Sequence, residues 1–191
     1  MSSTNAPFGM RPAFHPSGLD RASALADGIL STYSTDILKG QPVKMATGGV
    51  IQVAAAGDAF LGCFSGVEWT DTTGRRRVSN YWPANTAYQT GSCIAYFYND
   101  PNIVYEIQAA GSLAQTSIGD EADLSNTTAG STTTGLSACT LSTTLAGAGN
   151  SAQMRIINLA PYPDNAWGDS YTIVRATIAE YQFAGAAGTA I

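Results

Sequence analysis

The chain reads as a mainly β protein: a single barrel- or sandwich-like domain with an extended N-terminal arm and little helix. Three observations predict this. From Thr35 onward, short runs rich in β-branched and aromatic residues recur, punctuated by Gly, Pro, Asn and Asp. No long helical period separates those runs, so strand–helix layering is not expected. A length of 191 residues suits one domain, or one domain plus an arm.

The arm is residues 1–34. Pro7, Pro12 and Pro16 alternate with Gly9 and Gly18, a pattern that allows neither helix nor central strand, because proline lacks the N–H donor and biases its predecessor toward extended geometry. Phe8, Met10 and Phe14 make the segment apolar all the same. The expectation is an arm that lies on its own domain or on a neighbouring chain. Within it, Leu19, Ala22, Leu25, Ala26 and Ile29 fall at helical spacing and predict a short helix over 19–30.

Residues 35–191 form the β-rich domain. Its runs are DILKGQPVKMA, GVIQVAAA, FLGCFSGVEWTD, RRRVSNYWP, SCIAYFYND and NIVYEIQA. Period two is clearest in the last, with Ile103, Tyr105, Ile107 and Ala109 on one face and Val104, Glu106 and Gln108 on the other. Asn99–Asn102, NDPN, is a turn signal that predicts a hairpin between the last two runs. The Ser/Thr/Gly/Ala tract over 117–150 reads as short strands with exposed loops, because Ile118, Leu124, Leu136, Leu141 and Leu145 recur through it and threonine suits strands. Two strands close the chain, AQMRIINLA and SYTIVRATIAEYQF, joined by the turn-rich PYPDNAWGD.

Charge narrows the partners. Nine Lys and Arg face fourteen Asp and Glu, and the net charge of −5 repels phosphate, so nucleic acid is not expected as a partner. There is no apolar stretch long enough for a membrane helix and no basic-then-apolar secretory leader, so a membrane partner is not expected and folding in a reducing cytosol is. Cys63, Cys93 and Cys139 form no CxxC pair and sit in apolar runs, as buried thiols do.

Three basic residues, Arg75, Arg76 and Arg77, stand side by side, followed by Tyr81 and Trp82. As a strand the run splits its arginines: Arg75, Arg77, Ser79 and Tyr81 share one face, and Arg76, Val78, Asn80 and Trp82 the other. Arg, Tyr and Trp are enriched at protein interfaces, and guanidinium forks pair with carboxylates, so the run reads either as a protein contact or as an ordinary strand carrying arginines on both faces, with Trp82, before Pro83, an anchor of that contact or core at a strand end. The candidate contact residues are therefore Phe8, Met10, Arg11, Phe14, Arg75, Arg76, Arg77, Tyr81 and Trp82.

Catalytic signatures are sparse. The one histidine, His15, sits in the arm, where a general base is poorly held, and no nucleophile elbow, phosphate loop or zinc motif is present. The acidic turns Asp120, Glu121, Asp123 and Asp164, Asn165, Asp169 match no calcium-loop spacing. Neither enzyme activity, cofactor nor metal is expected.

Three stretches, NAPFGMRPAFHPSG, QAAGSLAQTSIGDEADLSNTTAGSTTTGLSACTL and MRIINLAPYPDNAWGDSYTIVRATIAEYQF, together resemble capsid decoration, or cement, proteins of tailed bacteriophages. The resemblance implies a small β-rich structural protein on the outer capsid surface of a virion. Its partners would be the phage major capsid protein and further copies of itself, with no heptad or long amphipathic helix in the sequence to fix their number. Aromatic turns such as NYWPAN offer the alternative of a virion-borne carbohydrate- or receptor-binding module.

Overall fold

The structure, a computed structural model, describes residues 2–18 and 21–184. They form a mainly β, antiparallel fold. In chain order the strands are β1 (Arg11–Phe14), β2 (Ser23–Ala26), β3 (Pro42–Ala46), β4 (Val50–Val53), β5 (Gly62–Thr70), β6 (Arg76–Ser79) and β7 (Ile94–Phe97). There follow β8 (Val104–Gln108), β9 (Glu121–Ser125), β10 (Gly130–Ser131), β11 (Leu136–Ser137), β12 (Thr140–Leu145), β13 (Met154–Leu159) and β14 (Ile173–Ile178). A single 3-10 turn, Gln115–Ser117, precedes β9.

Two six-stranded sheets carry the molecule, with β10 and β11 as a separate small hairpin. The first sheet runs β1-β8-β14-β13-β9-β12. It curls until β12 meets β8 again, where Ala109 and Leu141 bridge and the Ala110 N–H donates to the Leu141 carbonyl at 2.8 Å. Five strands thus ring one core, built from Tyr105, Ile107, Leu124, Leu141, Met154 and Val174 among others. The second sheet runs β2-β7-β5-β3-β4, with β6 also paired to β5. A main-chain bond from Ile51 N–H to Gly28 C=O, 2.7 Å, draws its outer strands together around a second core of Ile37, Val43, Phe64, Trp69, Trp82 and Phe97.

Strand β5 joins the two cores. Cys63 points into the first and Phe64 into the second, as successive residues of a strand must. A bulge between Phe64 and Gly66 then shifts the parity, so Val67 and Trp69 continue into the second core. At Gly62 the strand passes so close to β7's exit that a Cβ would stand 2.1 Å from the Tyr98 carbonyl oxygen and 2.9 Å from the Tyr105 hydroxyl. Only glycine fits that approach.

Buried amides tie the loops to this frame. Gln153 accepts the Leu124 N–H at 2.9 Å and donates to the carbonyls of Ala55 and Asp58. Gln182 pairs with both main-chain groups of Met45, at 2.7 and 2.9 Å, and so extends β3 as a strand would. Asn165 braces the β13–β14 loop from inside, bonding Ala160 and Ile173.

Two expectations need correction, and a third becomes specific. The segment before residue 35 lies on its own domain, one of the two placements expected, and does so as sheet: β1 joins the first sheet beside β8, and β2 joins the second beside β7. Its prolines permit this because β1 is an edge strand. The helix over 19–30 is not formed by the residues described; Leu19 and Asp20 lie outside them, and Ser23–Ala26 is strand. Leu25 packs on the second core while Ala24 and Ala26 face outward, so an alternating pattern outcompeted the weak helical one. Finally, NDPN does turn, but β7 and β8 belong to different sheets, and the turn carries the chain from one core to the other.

Candidate interaction surface

The N-terminal strand is held along the whole length of β8. Residues 104–108 are buried on both faces: the odd residues face the first core, and the even residues receive the N-terminal segment. Gln108 grips the chain by two bonds of 3.0 Å, donating to the Thr4 carbonyl and accepting the Ala6 N–H. Glu106, only 6% exposed, accepts from Arg11 at 2.7 Å and from Arg175 at 3.3 Å. Tyr162 bridges the group, donating to Glu106 while accepting from Arg11. Burial alone would raise the Glu106 carboxyl, but Tyr162 and the two arginines hold it below its usual range.

Aromatic rings stack over the same charges. The Arg11 guanidinium lies 4.7 Å from the Phe8 ring centre and 5.7 Å from that of Tyr162, and Arg175 lies 5.3 Å from Phe14. At the far end His15 Nε2 comes within 3.0 Å of Asp100 Oδ2, an ion-pair distance. The Ser17 N–H donates to His15 Nδ1, so this end ties β1 to the β7–β8 turn. At the near end the Ser2 hydroxyl is buried against the Asp164 carbonyl and the Asp169 carboxylate.

Phe8, Arg11 and Phe14 are therefore brought together, around a carboxylate of their own chain. Met10 is not available to a partner at all. It is 1% exposed inside the first core, its N–H bonded to the Gly40 carbonyl at 2.9 Å. The left-handed backbone at Gly9 (φ 74°) turns it inward, where an added Cβ would stand 2.8 Å from both the Gly40 oxygen and the Ser137 Cβ.

The arginine run belongs to the second sheet, with Arg76 and Arg77 on β6 and Arg75 just before it. Arg76, Arg77 and Val78 are all exposed, Val78 at 77%. Arg76 pairs with Glu68 at 2.7 Å and Arg77 with Asp71 at 3.0 Å, while Arg75 forms no ion pair among the described residues. Thr73, the Arg75 N–H and Arg77 together hold the Asp71 carboxyl well below the usual range. Arg76 and Tyr96 do the same for Glu68. Both acids thus stay charged and paired with their arginines.

The facial split expected for this run holds only as far as Ser79. The strand ends there, the chain bends at Asn80 and Tyr81, and Trp82 re-enters at a bridge to Ile37. Trp82 is 0% exposed, with its ring 5.5 Å from Trp69 and 5.9 Å from Tyr88 in edge contacts, so it is core and not a contact residue. Tyr81 is half-buried. Trp167, in the other aromatic turn, packs against the first core.

Sequence reasoning missed Glu106, Gln108, Arg175 and Tyr162. The signal for the first two lay in the alternation of NIVYEIQA, whose polar face has to meet something once the apolar face is buried. Among the described residues no group of three or more His, Cys, Asp or Glu is placed to hold a metal ion. No described helix is long and apolar enough to cross a membrane. Compared with protein-family models, curated proteins and solved structures, the chain matches none.

Proposed function

We propose that the chain is a structural protein of a tailed-phage virion that binds the outer surface of the capsid and stabilises the shell of major capsid protein. The observation that carries this reading is the run Arg75–Val78: four consecutive exposed residues, three of them on strand β6, with two guanidinium groups held in place by Glu68 and Asp71. A contact patch ordered in advance loses little side-chain freedom on docking. Repetition over a lattice then multiplies a modest interface into stable coverage.

The N-terminal segment has a different part in this reading from the one its sequence implies. It does not clamp a neighbour by Met10; it completes the first sheet and leaves Phe14, 44% exposed, at the surface beside Arg175. Of the two tryptophans in the aromatic turns, Trp82 is buried and Trp167 packs half-buried against the first core, so neither offers a fully exposed ring to a carbohydrate.

The test is sedimentation of the purified chain with phage capsids stripped of it. Saturable co-sedimentation that weakens with salt is expected, and replacing Arg75, Arg76 and Arg77 together by alanine should weaken binding and flatten its salt dependence. Failure of the unaltered chain to bind at low salt overturns the reading.

A further inference from the structure

We infer that the outer edge of β6 is a docking site for an acidic, extended segment of a partner protein, which adds to the second sheet as a further strand. Strand β6 pairs with β5 in the register Val67–Ser79, Glu68–Val78, Trp69–Arg77 and Thr70–Arg76. The Asp71 N–H donates to the Arg75 carbonyl at 2.9 Å, which makes that pair a hydrogen-bonded one. Antiparallel pairs alternate, so Arg77 and Ser79 direct their main-chain groups at β5. The β7 side agrees: the Thr70 N–H donates to the Ser92 hydroxyl and the Thr70 carbonyl accepts from the Gln89 N–H, which leaves the odd residues of β5 for β6.

The N–H and C=O of Arg76 and Val78 consequently point away from the sheet, and β5 is the one strand that β6 pairs with among the described residues. That is the geometry of strand addition, in which main-chain bonds supply affinity and side chains supply choice. The choice here is electrostatic. Arg76 lies on one face of the edge, and Arg75 and Arg77 on the other; Arg76 and Arg77 are each paired with one acid and Arg75 forms no ion pair among the described residues, which leaves the edge locally positive on a chain whose net charge is −5. A second copy is a poor occupant, because two β6 edges would set arginine against arginine. A strand with carboxylates meets a charge-assisted partner on either face.

The inference deepens the proposed role and rests on it for the partner's identity, but its test uses no capsids, so the two stand or fall separately. The probe is a capped hexapeptide of alternating glutamate and valine, with the lysine–valine peptide as its charge reversal. Titrated into the 15N-labelled chain, the acidic peptide is expected to shift and protect the amides of Arg76 and Val78, with at least tenfold weaker binding of the lysine peptide. Val78→Pro removes an outward N–H and no bond to β5, and should abolish the shifts at Arg76 while unfolding remains unchanged. If that variant is unstable, Arg76→Glu replaces it, with binding expected to fall at least tenfold. Equal binding of the two peptides, shifts centred elsewhere, or undiminished binding by a folded variant overturns the inference, whatever the capsid experiment shows.

Discussion

Replacing Met10 by alanine separates a docking arm from a structural strand. If the N-terminal segment were an appendage, the change would leave the fold's stability untouched. In the structure Met10 is 1% exposed and belongs to the same buried cluster as Phe60, Cys63 and Tyr105. Truncating a buried methionine costs about 2–5 kcal/mol, through lost transfer energy and the cavity left behind. Collapse into that cavity is restricted here, since the backbone is pinned by the Met10–Gly40 bond and by β1 pairing with β8. A loss of about 3 kcal/mol is therefore expected, a large part of the ~5–15 kcal/mol that holds a typical domain together. With a urea slope of about 2 kcal/mol/M, the midpoint falls by about 1.5 M. The assay is equilibrium urea unfolding followed by tryptophan fluorescence, which reads the buried Trp82. Phe14→Ala is the internal control, because its ring is 44% exposed and should contribute about 1 kcal/mol. A Met10→Ala loss no larger than that of Phe14→Ala would refute the assignment of Met10 to the core.

The strap around Glu106 makes stability depend on acid. Its folded carboxyl titrates below the ordinary value of 4.5, so its contribution is complete above that value and fades as pH falls through the lower folded one. Glu106→Gln should lower stability at pH 7 and flatten the decline between pH 5 and 3, measured by thermal melts across that range; an unchanged slope would count against the network. Burial pushes the thiols of Cys93 and Cys139 up to about 11 and about 12, and that of Cys63 higher still. None should react with a disulfide reagent at pH 8 until the protein unfolds, and one fast-reacting equivalent in the native state would contradict this burial. Gly9→Ala should cost about 2 kcal/mol or more, since it adds left-handed strain to a clash with Gly40 and Ser137, read as a lowered urea midpoint.

Much of the architecture was legible in the residues. Alternation in NIVYEIQA placed Tyr105 and Ile107 in a core, and the recurring Leu124 and Leu141 rescued the Ser/Thr tract from a reading as disorder. Both inferences rest on local chemistry, since apolar atoms at period two bury one face of a strand wherever that strand goes. The burial of the three cysteines followed from their apolar surroundings in the same way.

What the residues could not disclose was which strands meet. NDPN forms its turn in either case; only long-range pairing decides that β7 and β8 part into different sheets. Glu106 announces a polar face, but not that Arg11, Tyr162 and Arg175 converge on it from three distant points of the chain. Met10 on a proline-rich segment and Trp82 at the end of an arginine run were both open to reading as contact residues. A backbone turn at Gly9 and a bend after Ser79 rotate each into a core instead. Local sequence sets the period and chemistry of each strand, and the placement of a side chain against its partners belongs to contacts between residues far apart in the chain.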